Sequence, residues 1–209
     1  MAPTPSNPGG PPRFLLVALT LAALFVLAAG ALLAFALREG PRGVAGSVLG
    51  AAIGGPFRLV DQDGRPVTEA DLKGKWQLVF FGYTHCPDTC PTTLNEIALA
   101  FDRLGEKRRA VGVVFITVDP ERDTPAVLKS YLASFDAPVV ALTGTPAEIA
   151  DIAKHYHVYY ARHPRADGGY DMDHSAIIYV MDPQGRFTAT LTPDNSAEEI
   201  AARLDKLLS

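Results

Sequence analysis

The chain has 209 residues and a formal net charge of −4, with 19 Lys and Arg against 23 Asp and Glu. That length holds one ordinary domain and little more, and without a basic run there is no electrostatic footprint for nucleic acid. Its two cysteines are too few for a disulfide framework.

The head, 1–13, is rich in Pro and Gly and carries a single cation, Arg13. The stretch 14–37 has no charge, only Thr and Gly interrupting Leu, Ala, Val and Phe. As a helix it is long enough for a hydrocarbon core of ~30 Å, and it exceeds the apolar region of about 7 to 15 residues in a cleaved signal peptide. We therefore expect a short cytoplasmic head at 1–13, a single-pass transmembrane signal anchor at 14–37, a flexible Gly/Ala/Pro linker at 38–54 and one domain at 55–209. Arg13 before the span and Arg38 and Arg42 after it leave the positive-inside count undecided. A lone N-terminal span ahead of the sizeable domain normally exports it, and the head lacks an Arg-rich transit pattern. The expected setting is a bacterial inner membrane with the domain in the periplasm.

Beyond the linker, 57–60 reads as a strand, and Asp63-Gly64 marks a turn before Pro66-Val67. The runs 77–81 and 111–118 are mostly apolar and rich in β-formers, the pattern of strands covered on both faces. Between them Leu94, Ile97, Ala98, Phe101 and Leu104 repeat at helical spacing, opened by Pro91 and stopped by Gly105. Thr124-Pro125, Thr145 with Glu148, and Ser196 with Glu199 each start a further helix. The runs 176–181 and 187–191 flank Asp182-Pro183-Gln184-Gly185 as a hairpin. A β-α-β half followed by a β-β-α half is the thioredoxin-like α/β plan, a central mixed sheet with flanking helices. A doubly wound sheet would not end in a hairpin and one helix.

Cys86 and Cys90 follow the strand 77–81 and open the first helix, where sites in α/β sheets usually lie. One helical turn between them places their Cα atoms roughly 6 Å apart, within what a disulfide tolerates. The pair can be a redox dithiol or two thiolate ligands. Cys90, beside Pro91, falls at the helix N-terminus, where free N–H groups favour thiolate. Among the five histidines, His85 adjoins Cys86, His155 and His157 end a helical pattern, and His163 sits in a polar loop. His174 stands before the strand beginning at Ala176, which this topology brings beside the thiols. A Cys2His set suits Cu(I), and its imidazole lets it hold Cu(II); zinc accepts the same donors with a water. Asp173 is a candidate to orient the ring, with a solvated loop charge as its other reading. In Val118-Asp119-Pro120-Glu121-Arg122-Asp123-Thr124-Pro125, Asp123 or Thr124 reads as a helix cap. Asp119 is a second candidate beside the site.

Three motifs, Cys86-Pro87-Asp88-Thr89-Cys90-Pro91, the 118–125 run and Asp173-His174-Ser175, stand behind one N-terminal span. Together they resemble the Sco/SenC proteins, membrane-tethered, thioredoxin-like copper proteins that help assemble the dinuclear copper centre of cytochrome c oxidase. The resemblance covers 55–209. It implies that Cys86, Cys90 and His174 ligate copper, as Cu(I) or Cu(II). It further implies a metallochaperone that delivers copper to, or prepares, the copper-bearing oxidase subunit. Periplasmic copper chaperones and thioredoxin-like reductants are the other partners implied. Copper delivery, thiol–disulfide reduction by the Cys86–Cys90 pair and redox or copper sensing all stay open within it.

Overall fold

A computed structural model describes residues 53–209. The expected head and anchor and nearly all of the linker lie outside these residues. Among the described residues no helix is long and apolar enough to cross a membrane.

Local chemistry places the elements. β1 (Arg58–Asp61) and β2 (Pro66–Thr68) form the opening hairpin, and β3 (Trp76–Gly82) and β4 (Val111–Thr117) are the two apolar runs. They pair in parallel, Leu78 opposite Val113 and Phe80 opposite Phe115. Between them lie α1 (Thr89–Leu104) and a short 3-10 helix, Gly105–Ala110. Then follow α2 (Pro125–Leu132), β5 (Val139–Thr143) and α3 (Pro146–His155). Thr124 caps α2, and Thr145 with Glu148 makes a reciprocal capping box on α3. The chain closes with β8 (Ile178–Met181), β9 (Phe187–Leu191) and α4 (Ala197–Leu207), the last boxed by Ser196 and Glu199.

The seven-stranded sheet runs β2-β1-β5-β4-β3-β8-β9. β3, β4 and β5 are parallel, while β8 is antiparallel to β3. This is the thioredoxin-like mixed sheet. Alternation along β3 sends Leu78 and Phe80 to one core, with Leu94 and Phe101 of α1, Leu128 of α2 and Leu204 of α4. Val79 and Phe81 face the other core, with Ile149 and Ile152 of α3. Burial on both faces is what these largely apolar runs encode.

Two details differ from expectation. α1 begins at Thr89 rather than Pro91, with Asp88 at the N-cap. Second, β6 (Tyr160–Pro164) and β7 (Tyr170–His174) form a separate two-stranded hairpin where only loop was expected. Its strands are short and mostly polar, and only Met172 is buried, so no apolar period announces them. His163 therefore lies on a strand, opposite Asp171, and His174 ends one.

Candidate metal centre

The loop leaving β3 turns at once, the Cys86 N–H donating to the Tyr83 carbonyl at 3.2 Å. Four residues on, Cys90 occupies the first turn of α1 and is fully buried. Its backbone N–H donates to the Cys86 sulfur at 3.4 Å. His174, 84 residues later, comes off the end of β7 with Nε2 3.7 Å from the Cys90 sulfur. The donor atoms of Cys86, Cys90 and His174 all lie within 4.8 Å of one another, and both cysteines are free thiols. An open cleft of about 240 Å³ gives onto Cys86 and His174, edged by Tyr83, Asp88 and Met172.

The two sulfurs are unlike. Cys90 donates a hydrogen bond to Cys86 and so draws its thiol down to about 4, against burial, with further help from His174 and the backbone N–H groups of Cys90 and Asp88. Cys90 is pushed up because it holds that shared proton, lies buried and faces the Cys86 charge. This corrects the expectation of a thiolate at Cys90. Its sulfur turns into the core, and the N–H at the helix start is spent on Cys86 instead. Space around Cys90 is tight: a Cβ at Gly82 would meet its sulfur at 2.8 Å and the Phe115 ring at 2.7 Å.

The imidazole is oriented through Nδ1, which lies 3.2 Å from the Ser175 carbonyl; that oxygen can only accept, so Nδ1 donates and Nε2 is the ring nitrogen turned to the sulfurs. The Tyr83 ring stands edge-on to it, centroids 5.7 Å apart. The Ser175 carbonyl thus fills the place considered for Asp173, which is exposed and makes no hydrogen bond to the ring. Asp119 is buried but stands off from the donor atoms. It accepts from the Tyr170 hydroxyl at 2.9 Å and from Arg122 Nε.

The role of one residue differs from the helix cap expected of it. Asp123 is fully buried and accepts from the Thr84 N–H at 3.0 Å, the Thr84 hydroxyl at 2.6 Å and the Thr117 hydroxyl at 2.6 Å. It ties the cysteine loop to the end of β4, while Thr124 is the residue that caps α2. His85, His157 and His163 are exposed and His155 ends α3; none joins the group.

A family model described as SCO1/SenC matches residues 46–209. The mitochondrial protein SCO1 homolog 1 of Arabidopsis thaliana is 45% identical over 153 residues, 73% of this chain but only 44% of that protein. The chain thus spans less than half of that relative's length. Among solved structures, Bradyrhizobium japonicum ScoI with copper bound is 52% identical, with a TM-score of 0.70, covering 74% of this chain and 99% of that one. A second is BsSco, described as having a disulfide switch and as a member of the Sco family of cytochrome c oxidase assembly proteins. It is 26% identical with a TM-score of 0.59, covering 76% of this chain and 94% of its own.

Proposed function

The chain belongs to the SCO1/SenC family, and from that premise we propose that it is a copper-handling assembly factor for cytochrome c oxidase. Copper is its cargo, taken up by Cys86, Cys90 and His174 and delivered to, or used to prepare, the dinuclear site of the copper-bearing oxidase subunit. The observation that carries this reading is the gathering of two sulfurs and an imidazole nitrogen within 4.8 Å at the mouth of a cleft. Two thiolates are the soft donors that Cu(I) selects, and a neutral imidazole extends the set to Cu(II). The fit to the chemistry is direct. The Cys86 thiol is already drawn down to about 4, metal binding would release the Cys90 proton to solvent, and Nε2 is the ring nitrogen turned to the sulfurs.

The rest of the reading concerns place. The span 14–37 anchors the chain in a bacterial inner membrane, the linker 38–54 tethers it, and the domain works in the periplasm. There it meets the oxidase subunit and the copper chaperones or thioredoxin-like reductants that keep its thiols reduced.

Anaerobic copper titration of the full chain tests the site. Cys86→Ser and Cys90→Ser should each abolish tight Cu(I) uptake, and His174→Ala should weaken Cu(II) most. Equal uptake by these variants and the wild type would overturn the site, and preference for zinc in competition would overturn copper as cargo. A thiol–disulfide reductase, by contrast, would keep its function in His174→Ala.

A further inference from the structure

His174 rides on a part of the fold that the main sheet does not hold. Among the described residues β6 and β7 pair only with each other, and an isolated two-stranded ribbon is marginal in water. Its position over the thiols must come from side chains. Three polar ties from this hairpin converge on the 119–122 turn after β4: Tyr170 hydroxyl to Asp119, Arg122 Nη1 to the Tyr170 carbonyl at 3.1 Å, and Arg162 to Glu121 at 2.6 Å.

Tyr170, the first residue of β7, is the hub. Its hydroxyl meets a carboxylate that is 0% exposed, so losing the bond leaves a buried acceptor short of a donor, a costlier loss than any surface pair. Its ring lies 3.9 Å from the Arg122 guanidinium carbon and 4.0 Å from that of Arg162, both within cation–π range. Arg122 is itself paired to Asp119, and it reaches to 5.9 Å of the Tyr83 ring, which stands against His174. From Tyr170 the strand runs roughly 13 Å to His174, so a tilt at the hub displaces the imidazole.

We propose that Tyr170, gripped by Asp119 and Arg122, is the positioning residue that keeps His174 over the two thiols and so decides whether copper meets two donors or three. This rests on the copper-handling role proposed above. Tyr170→Phe in the full chain is the test, because it keeps the ring and both guanidinium neighbours and deletes only the hydroxyl. Cu(II) affinity should fall by about tenfold or more, in the range seen when a ligand loses its orienting partner. Nitrogen hyperfine structure in the Cu(II) electron paramagnetic resonance spectrum should fade, while Cu(I) uptake by the thiols stays near wild type. In a His174→Ala background Tyr170→Phe should add nothing.

Wild-type Cu(II) binding by Tyr170→Phe, with His174→Ala impaired, would overturn the positioning role and leave the copper reading standing. An equal loss in both backgrounds would overturn it too, since it would mark general destabilisation. If His174→Ala itself changes nothing, the copper site and this inference fall together.

Discussion

At the scale of single residues, the division of labour between two like side chains governs the chemistry. Cys86 is half-buried at the mouth of the cleft and its thiol lies at about 4, while Cys90 is sealed in the core and keeps its proton. The sign of the consequence is fixed. In the unfolded chain Cys86 has the ordinary value of 9.0, so between about pH 4 and 9 the unfolded state binds more protons than the folded one. Stability of the reduced protein therefore rises with pH across that window and is lost as pH falls through 4. Above pH 9 Cys90 reverses the trend, because its raised value resists an ionisation that the unfolded chain permits. Iodoacetamide alkylation checks the first step. Cys86 should react at a constant rate from pH 6 upward, whereas an ordinary thiol gains about tenfold per unit below its own value. A rate that still climbs tenfold per unit near pH 7 would contradict the assignment. Cys86→Ser should flatten the rise of stability between pH 4 and 9.

Among the elements, those whose cause is local were readable and those whose cause is distant were not. β3 and β4 announce themselves as apolar runs, and α3 and α4 by capping boxes whose partners are three residues apart. The cysteine pair and His174 were also legible, because topology alone brings the end of β3 beside the strand after His174. The β6–β7 hairpin was not, since its anchoring bond joins Tyr170 to Asp119 across 51 residues. Asp123 was mistaken for a cap candidate for the same reason, its partner Thr84 lying 39 residues away. That contact makes Asp123 the pin between the cysteine loop and β4. Asp123→Ala leaves three donors facing an apolar stub, and should cost about 1–3 kcal/mol for the buried groups left unpaired. The urea midpoint of the reduced protein measures it. The cysteine loop should loosen as well, so amide exchange at Thr84 should quicken more than at Leu78 in the core of β3. Uniform exchange at both would mean that Asp123 only stabilises the fold at large.

At the scale of the whole described domain, the sheet's polarity sets which pole carries the site. The cysteine loop leaves the C-terminal end of β3. The first described residues lie toward its other end, where Gly54 donates to the His155 carbonyl at the close of α3 and stands against Met181, itself paired with Gln77 near the start of β3. The chain enters the domain at one pole and presents its thiols at the opposite one. Cysteine labelling in intact bacteria expressing the full chain tests the topology. A maleimide too polar to cross the inner membrane should modify Cys86 without permeabilisation, since that sulfur lines the open cleft. Cys86→Ser should remove the signal, because Cys90 is sealed. Labelling that appears only after the inner membrane is breached would place the domain in the cytoplasm.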